Sequence, residues 1–356
     1  MKIVKEIPVI EETDVIVSGG GIAGATSAIA ASREGAKVVL VERFGYLGGN
    51  MGPGMFSGGV LHLALQYPFA LMGGLKGIPG EFINRCEGYA GHQLGKNYLK
   101  DHQVVAYVWF KMMEENNVKL MLNTFACDPI MDRNNIVGLI VENKSGTAAI
   151  MSKILIDATA DADICFRAGA QMDDGTKYVH PGMYFAIGNV DENKYLSWLK
   201  QVEVSEDDVK WAKEIGEKFG NKRVGALKSF YPLFRSAWYL GDYRFVRPIE
   251  KIGAVTVDHG FYPPVNGIVG AQIGVMGKEI KSGDVQLMTN LEIECRIYIF
   301  ETAKFLISHV PGFENSYLLC VSPYFHTRGG RSVVTEYVIT EDDLKNAEKD
   351  IQNLTD

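Results

Sequence analysis

Three glycines, Gly19, Gly21 and Gly24, and an acid, Glu42, are the residues whose types and spacing are best suited to chemistry. The glycines make a G-x-G-x-x-G run directly after the apolar stretch Val15-Ile16-Val17. Such a run binds a pyrophosphate. The first glycine allows a tight turn, the second lets the phosphates approach the backbone, and the third lets helix and strand pack closely. The N–H groups that begin the following helix, at Ile22 and Ala23, have no partner of their own and point at an anion. Glu42 stands about 20 residues on, where a carboxylate accepts hydrogen bonds from ribose hydroxyls.

These residues need three elements to position them. Val15–Val17 reads as a strand buried on both faces, and Ala25, Ala28, Ile29 and Ala30 read as a helix with a small-residue face. Gly35 ends that helix, and Val38-Val39-Leu40-Val41 is a second strand closed by Glu42. A G-x-G-x-x-G alone is weak evidence. Between two strands and ahead of an acid it is specific for a dinucleotide. The βαβ unit serves NAD as well as FAD. Here, however, the second strand runs into Arg43-Phe44-Gly45-Tyr46-Leu47-Gly48-Gly49-Asn50 instead of another crossover helix. The stretch 46–59, YLGGNMGPGMFSGG, holds six glycines. That density suits backbone contact along a ligand better than a linker.

At these residues the chain resembles the FAD-dependent oxidoreductases of the glutathione-reductase-like superfamily, distantly akin to fumarate reductase flavoproteins. Three later segments carry the same resemblance: ILIDATADADICFRAGA (154–170), FLISHVPGFENSYLL (305–319) and TRGGRSVVTEYVITEDDL (327–344). Together they touch residues 10–345 or so. The resemblance implies FAD held non-covalently by Gly19, Gly21, Ile22, Ala23, Gly24, Glu42 and Arg43, then by Gly48, Gly49, Asn50 and Met51, with residues up to Gly59 running under the flavin. It also implies that Ala158, Thr159 and Asp161 return beside the cofactor and that Ala126 lies near the adenine. Two departures stand out. Ala160 replaces the glycine of the family's Ala-Thr-Gly, and an Arg-Glu-x-Arg-Arg pattern is reduced to Arg328-Gly329-Gly330-Arg331-Ser332. The chain also ends at Asp356, where the family continues.

The rest of the chain completes the expected α/β plan. Residues 97–117 read as an amphipathic helix and 118–125 as a strand. Strands at 127–131, 136–142 and 147–155 follow, with turns at 132–135 and 143–146. We expect a Rossmann-like FAD-binding domain with a parallel sheet over residues 1–171, carrying an inserted β-meander at 126–156. A second, α+β substrate or cap domain should span 172–325, with a strand at 180–190 and helices at 208–220 and 290–310. Residues 326–356 should return toward the first domain.

A flavin enzyme asks little chemistry of its side chains, since the cofactor takes the hydride and the protein positions the donor and moves a proton. Candidate proton carriers are His62, His180, His259 and His326. His326 stands beside two arginines and His62 just beyond the glycine-rich run. Arg328 and Arg331 would clamp a carboxylate, or anchor the second domain as a structural pair. The aromatic block 230–245 would line a sugar or steroid site, or pack a core.

Composition excludes other classes. The net charge of −7 and the lack of a Lys/Arg run argue against nucleic acid. Five widely spaced cysteines (Cys86, Cys127, Cys165, Cys295, Cys320) form no C-x-x-C pair, which suggests reduced thiols and no metal. The N-terminus lacks an apolar signal region, and the most apolar window, 55–72, is broken by His62, Gln66 and Pro68. A cytoplasmic protein is expected, with a small organic substrate and no membrane partner. The leading expectation is an FAD-dependent oxidoreductase passing a hydride between that substrate and the flavin. The alternatives are a nucleotide-binding subunit whose flavin site a second copy or another chain completes, and an NAD-dependent dehydrogenase.

Overall fold

The computed structural model describes residues 4–52, 54, 76–92, 98–173, 181–219, 224–250, 252–262, 264–277, 280–327, 330–338, 340 and 342. His62, His180, Gly220 and Arg328 lie outside them, as do the side chain of His259 and, of the run that follows Met51, residues 53 and 55–59.

A six-stranded sheet carries the N-terminal half. Strand β1 is Val9–Ser18, β2 Val38–Val41, β3 Lys119–Met121, β4 Phe125–Asp132, β5 Asn135–Asn143 and β6 Gly146–Asp157. Their order is β3-β2-β1-β6-β5-β4. The first four are mutually parallel, and the β4-β5-β6 meander is antiparallel. This is a Rossmann-like arrangement, and the meander falls where the turn residues put it. Arg133 and Gly146, both at positive φ, make its turns.

Two differences from the sequence reading have local causes. β1 begins six residues before Val15, because the polar stretch Val9–Thr13 pairs with Ala149–Ser152 of β6. No apolar run announces an edge held by backbone bonds. β3 is only three residues long because Asn123 takes a φ of 50° and turns the chain. Asn123 and Thr124 then donate their N–H groups to the carbonyls of Phe44 and Glu42.

Helix α1, Ile22–Arg33, follows β1; α2 is Gly77–Ala90 and α3 Tyr98–Glu115. Val15, Val17, Val38 and Leu40 pack on this helical side against Ala25, Ile29, Phe82, Val105, Trp109 and Met112. Ile16, Val39 and Val41 point the other way, to Leu139, Val141 and Ile150 of the meander. Burial on both faces is why these strands read as unbroken apolar runs. Each such side chain contributes about 1.5–3 kcal/mol on burial.

A second sheet, all antiparallel, is built from β8 (Gly182–Gly188), β9 (Val246–Ile249), β10 (Gly253–Phe261), β11 (Val269–Gly277) and β12 (Tyr317–Val321), in the order β12-β8-β11-β10-β9. One face holds the larger core. There Met183, Phe185, Ile187 and Ile273 meet Phe230, Tyr231, Phe234, Tyr243 and Phe245, together with Tyr298 and Phe305 of the long helix Val285–His309. The aromatic block is therefore core packing. The arginines of that region are engaged as well: Arg235 with Asp208, Arg247 with Glu301, and Arg244 over the Trp238 ring. A short pair, β7 (Met172–Asp173) with β13 (Ser332–Val333), completes the strands. All five cysteines are free thiols. No described helix is long and apolar enough to cross a membrane.

Candidate functional site

The three motif glycines do three different jobs. Gly19 takes a φ of 101°, and a Cβ there would sit 2.4 Å from the Ala158 carbonyl oxygen. At Gly24 a Cβ would lie 1.8 Å from the Gly19 carbonyl oxygen. Both contacts are backbone against backbone, so neither position admits a side chain. At Gly21 a Cβ would meet nothing within 4 Å. The chain itself therefore does not require glycine at Gly21, whereas a ligand pressed against it would. Gly21 caps α1 without any side-chain hydrogen bond, and the first turn of the helix carries no acid. The amides of Ile22, Ala23 and Gly24 and the positive end of the helix dipole thus face that open side.

The glycine-rich run lies alongside. Gly48 pairs with Gly21 in a parallel bridge and donates its N–H to the Gly20 carbonyl at 2.9 Å. Gly49, at a φ of 54°, comes so close that a Cβ would be 3.2 Å from the Gly21 Cα. A single 3-10 turn, Gly49–Met51, then carries Asn50 outward. Glu42 is nearly buried, and its two oxygens accept the N–H groups of Gly20 (2.6 Å) and Phe44 (2.8 Å). A carboxylate has about four acceptor positions, so two remain for hydroxyl donors. Arg43 lays its guanidinium 4.7 Å from the Phe44 ring centre, and Phe44 stacks on both Tyr46 and Tyr324. Ala126, in β4, packs against the cluster that includes Val41.

The IDATAD segment closes the site from the other side. Ala158 donates its N–H to the Ser18 carbonyl and so abuts Gly19. What holds it there is Asp157, a residue the sequence reading passed over. One carboxylate oxygen accepts from the N–H and the hydroxyl of Thr159, at 3.1 and 2.7 Å, and the other from the N–H groups of Ile164 and Cys165. The latter pair begins helix α4, Asp163–Arg167. Burial alone would raise the Asp157 pKa, but these donors outweigh it and hold the carboxyl below its usual value. The D-x-T spacing at a strand end was the available signal. Ala160 takes a φ of 72° and Ala162 one of 51°, so the first alanine occupies a backbone conformation that glycine adopts without strain. Asp161 is pushed above the ordinary carboxyl value by burial; the Ser282 hydroxyl, then the charges of Arg331 and Arg43, pull the other way.

Of the catalytic candidates, the structure brings His326 to the glycine-rich run. Its Nδ1 lies 2.9 Å from the Asn50 Oδ1, which also accepts the Tyr324 hydroxyl at 2.8 Å. With that amide orientation Nδ1 carries the proton and Nε2 is the basic nitrogen. His326 is 1% exposed, and its backbone pairs with Gly182 of β8. Arg331 lies elsewhere. Its guanidinium pairs with Asp163, donates to the Asp161 carbonyl and stacks 4.3 Å from the centre of the Phe166 ring. At Arg331 this geometry is that of an anchor; Arg328 lies outside the described residues. Tyr324, whose phenol is raised to about 12 chiefly by burial, is a second residue that sequence reasoning missed. Its place within PYFH, two residues before His326, was the only clue.

One family model and a set of distant solved structures match the chain. A family model described as FAD dependent oxidoreductase matches residues 14–353. No curated protein sequence matches the chain. Among solved structures, a geranylgeranyl bacteriochlorophyll reductase-like protein from Thermoplasma acidophilum is 12% identical, with a TM-score of 0.43, over 91% of this chain and 67% of its own. The p-nitrophenol 4-monooxygenase PnpA from Pseudomonas putida DLL-E4 is 13% identical, with a TM-score of 0.42, over 91% of this chain and 70% of its own. Likenesses this distant leave the reaction to be argued from the chain itself.

Proposed function

The chain belongs to the FAD dependent oxidoreductase family, and from that premise we propose that it passes a hydride between a small organic substrate and FAD. The cofactor, when bound, supplies the two-electron acceptor or donor. The residues fit it: Gly21 offers the open side, Ile22, Ala23 and Gly24 the amides for its pyrophosphate, and Glu42 the spare acceptor positions for a ribose. Gly48–Met51 continue the strip, and Ala158 and Thr159 back it.

The observation that carries the reading is the Asn50–His326 hydrogen bond. It sets a buried imidazole at the outer end of the cofactor strip, against the second sheet. An imidazole there can take a proton from a substrate hydroxyl or amine, or return one, and its burial beside the Tyr324 ring limits access of bulk water. His326 is accordingly the proton-moving residue of this proposal, and Tyr324 and Asn50 orient it.

Purified protein titrated with FAD and then mixed anaerobically with a panel of organic acids, alcohols, amines and sugars tests this. Bleaching of the flavin band near ~450 nm by one class, slowed about 100-fold or more in His326→Ala, is the expected result. A protein that takes up no FAD overturns the proposal. A His326→Ala variant reduced at the wild-type rate overturns the role of the imidazole.

A further inference from the structure

Helix α3 presents three residues, His102, Val105 and Trp109, on one face at i, i+3 and i+7. All three lie under the glycine-rich run. A Cβ on Gly48 would be 3.0 Å from the Val105 Cγ1 and 3.3 Å from the Trp109 Cδ1. A Cβ on Gly52 would be 3.3 Å from the same Val105 methyl. Phe82 stacks on Trp109 with ring centres 4.1 Å apart and fixes the indole from beneath. The floor of the cofactor strip is thus a helix face, and glycines at Gly48 and Gly52 let the backbone rest on it.

Two members of that face are apolar, as a floor requires. The third is a histidine that is 2% exposed, and burying an imidazole has a cost that a leucine would avoid. Its contacts explain its presence. The ring hydrogen-bonds to the backbone of Gly52, two residues beyond Asn50. On its other side it meets the Tyr184 ring edge-on, with centroids 6.3 Å apart. Tyr184 belongs to β8 and is the register partner of Gln272 on β11. Both are buried, and Tyr184 points away from the large core that takes Met183, Phe185 and Ile187, into a smaller cluster with Ala186. His102 therefore stands where the floor of the glycine-rich run meets the face of the second sheet that carries Tyr184 and Ala186. Burial holds its ring uncharged, with a pKa lowered to about 4 that the Gly52 bond only partly offsets.

We propose that His102 is a positioning residue for the flavin: through its bond to Gly52 it fixes Gly48–Gly52 in the shape that receives the cofactor, and through Tyr184 it sets the second sheet over that run. This deepens the proposed function and shares its premise that Gly48–Met51 contact FAD.

The test uses the full-length protein without cofactor first. Amide hydrogen exchange is followed across residues 46–52 in wild type, His102→Leu and His102→Asn. FAD affinity is then measured by flavin fluorescence. His102→Leu should speed exchange at Gly48–Gly52 by about tenfold or more and weaken FAD uptake by about tenfold. Exchange at Val15–Val17 and Val38–Val41 should stay as in wild type. His102→Asn, which keeps a hydrogen-bonding group, should restore both quantities to within about threefold. Unchanged exchange and affinity in His102→Leu overturn the proposal, as does a His102→Asn variant no better than His102→Leu. If His102→Leu loses protection throughout β1 as well, His102→Asn decides alone. Wild-type exchange and affinity in it support the role, and a loss of either overturns it. If wild-type protein takes up no FAD, the proposed function falls, while the exchange experiment still reads the His102–Gly52 contact.

Discussion

At the residue scale, three single positions separate what the fold needs from what a ligand needs. Gly21→Leu should leave the melting temperature within a few degrees of wild type, because a Cβ there meets no protein atom. It should abolish FAD uptake, since the side chain fills the space against which phosphates rest; a titration that still saturates would contradict the phosphate site. Ala160 makes the opposite case. Its left-handed φ of 72° costs about 1 kcal/mol or more for a residue with a Cβ. Ala160→Gly should therefore raise stability by about 0.5–1 kcal/mol in denaturant unfolding, after the entropy glycine adds to the unfolded chain. His102 gives a pH signature. Its folded pKa is depressed from 6.5 to about 4, so the unfolded chain binds the proton first. Stability from this group is complete above about pH 6.5 and is lost as pH falls toward 4, by ~3 kcal/mol in all. Unfolding measured across that window should show a shallower slope in His102→Gln.

The element scale shows how the strip is assembled. Glu42 follows directly on β2, and β3 is cut short so that Asn123 and Thr124 can hold the backbone at Phe44 and Glu42. β6 ends in Asp157, which accepts four hydrogen bonds and thereby fixes Ala158 against Gly19. Removing a half-buried acceptor that serves four donors leaves several of them unpaired. Asp157→Ala should destabilise the protein by about 2–3 kcal/mol and weaken FAD binding, even though Asp157 itself stands behind the strip. Normal FAD affinity in that variant, measured below its unfolding transition, would detach the IDATAD turn from cofactor binding. Much of this scale was legible in the sequence. Apolar runs gave β2 and the C-terminal part of β1, turn residues gave the meander, and the G-x-G-x-x-G gave the start of α1. The N-terminal half of β1 was not legible, because backbone pairing with β6 recruits polar residues as readily as apolar ones.

Across the whole molecule, two links from the C-terminal part of the described chain reach the glycine-rich run and the IDATAD turn. One is the Asn50–His326–Tyr324 group, which joins the turn after β2 to the chain beyond β12. The other is Arg331, which binds Asp163 and Phe166 and so holds β13 near the IDATAD turn. The ion pair is partly exposed, which limits its contribution to about 1 kcal/mol. Arg331→Met should accordingly lower stability by no more than about 1 kcal/mol and leave KM unchanged for any carboxylate substrate. A large rise in KM would make Arg331 a substrate clamp after all. Gly330 sits in the same link, with the Asp161 carboxylate occupying the space a Cβ would need.

The sequence by itself determined the local shape of the candidate cofactor site. Its parts, Gly19–Gly24, Glu42 and Gly48–Asn50, lie within a few dozen residues, and local rules of turn, helix start and strand period suffice to align them. His326 stood among the candidate histidines of the sequence, but what it faces was beyond that reach, and His102 carried no local signal at all. Packing of the second sheet against α3 and the glycine run brings His326 to Asn50 and His102 between Gly52 and Tyr184, and it leaves Arg331 as an anchor. Such convergence depends on which faces two separately built sheets turn toward one another. That orientation is fixed by buried surfaces far apart in the chain, and no local spacing of residues encodes it.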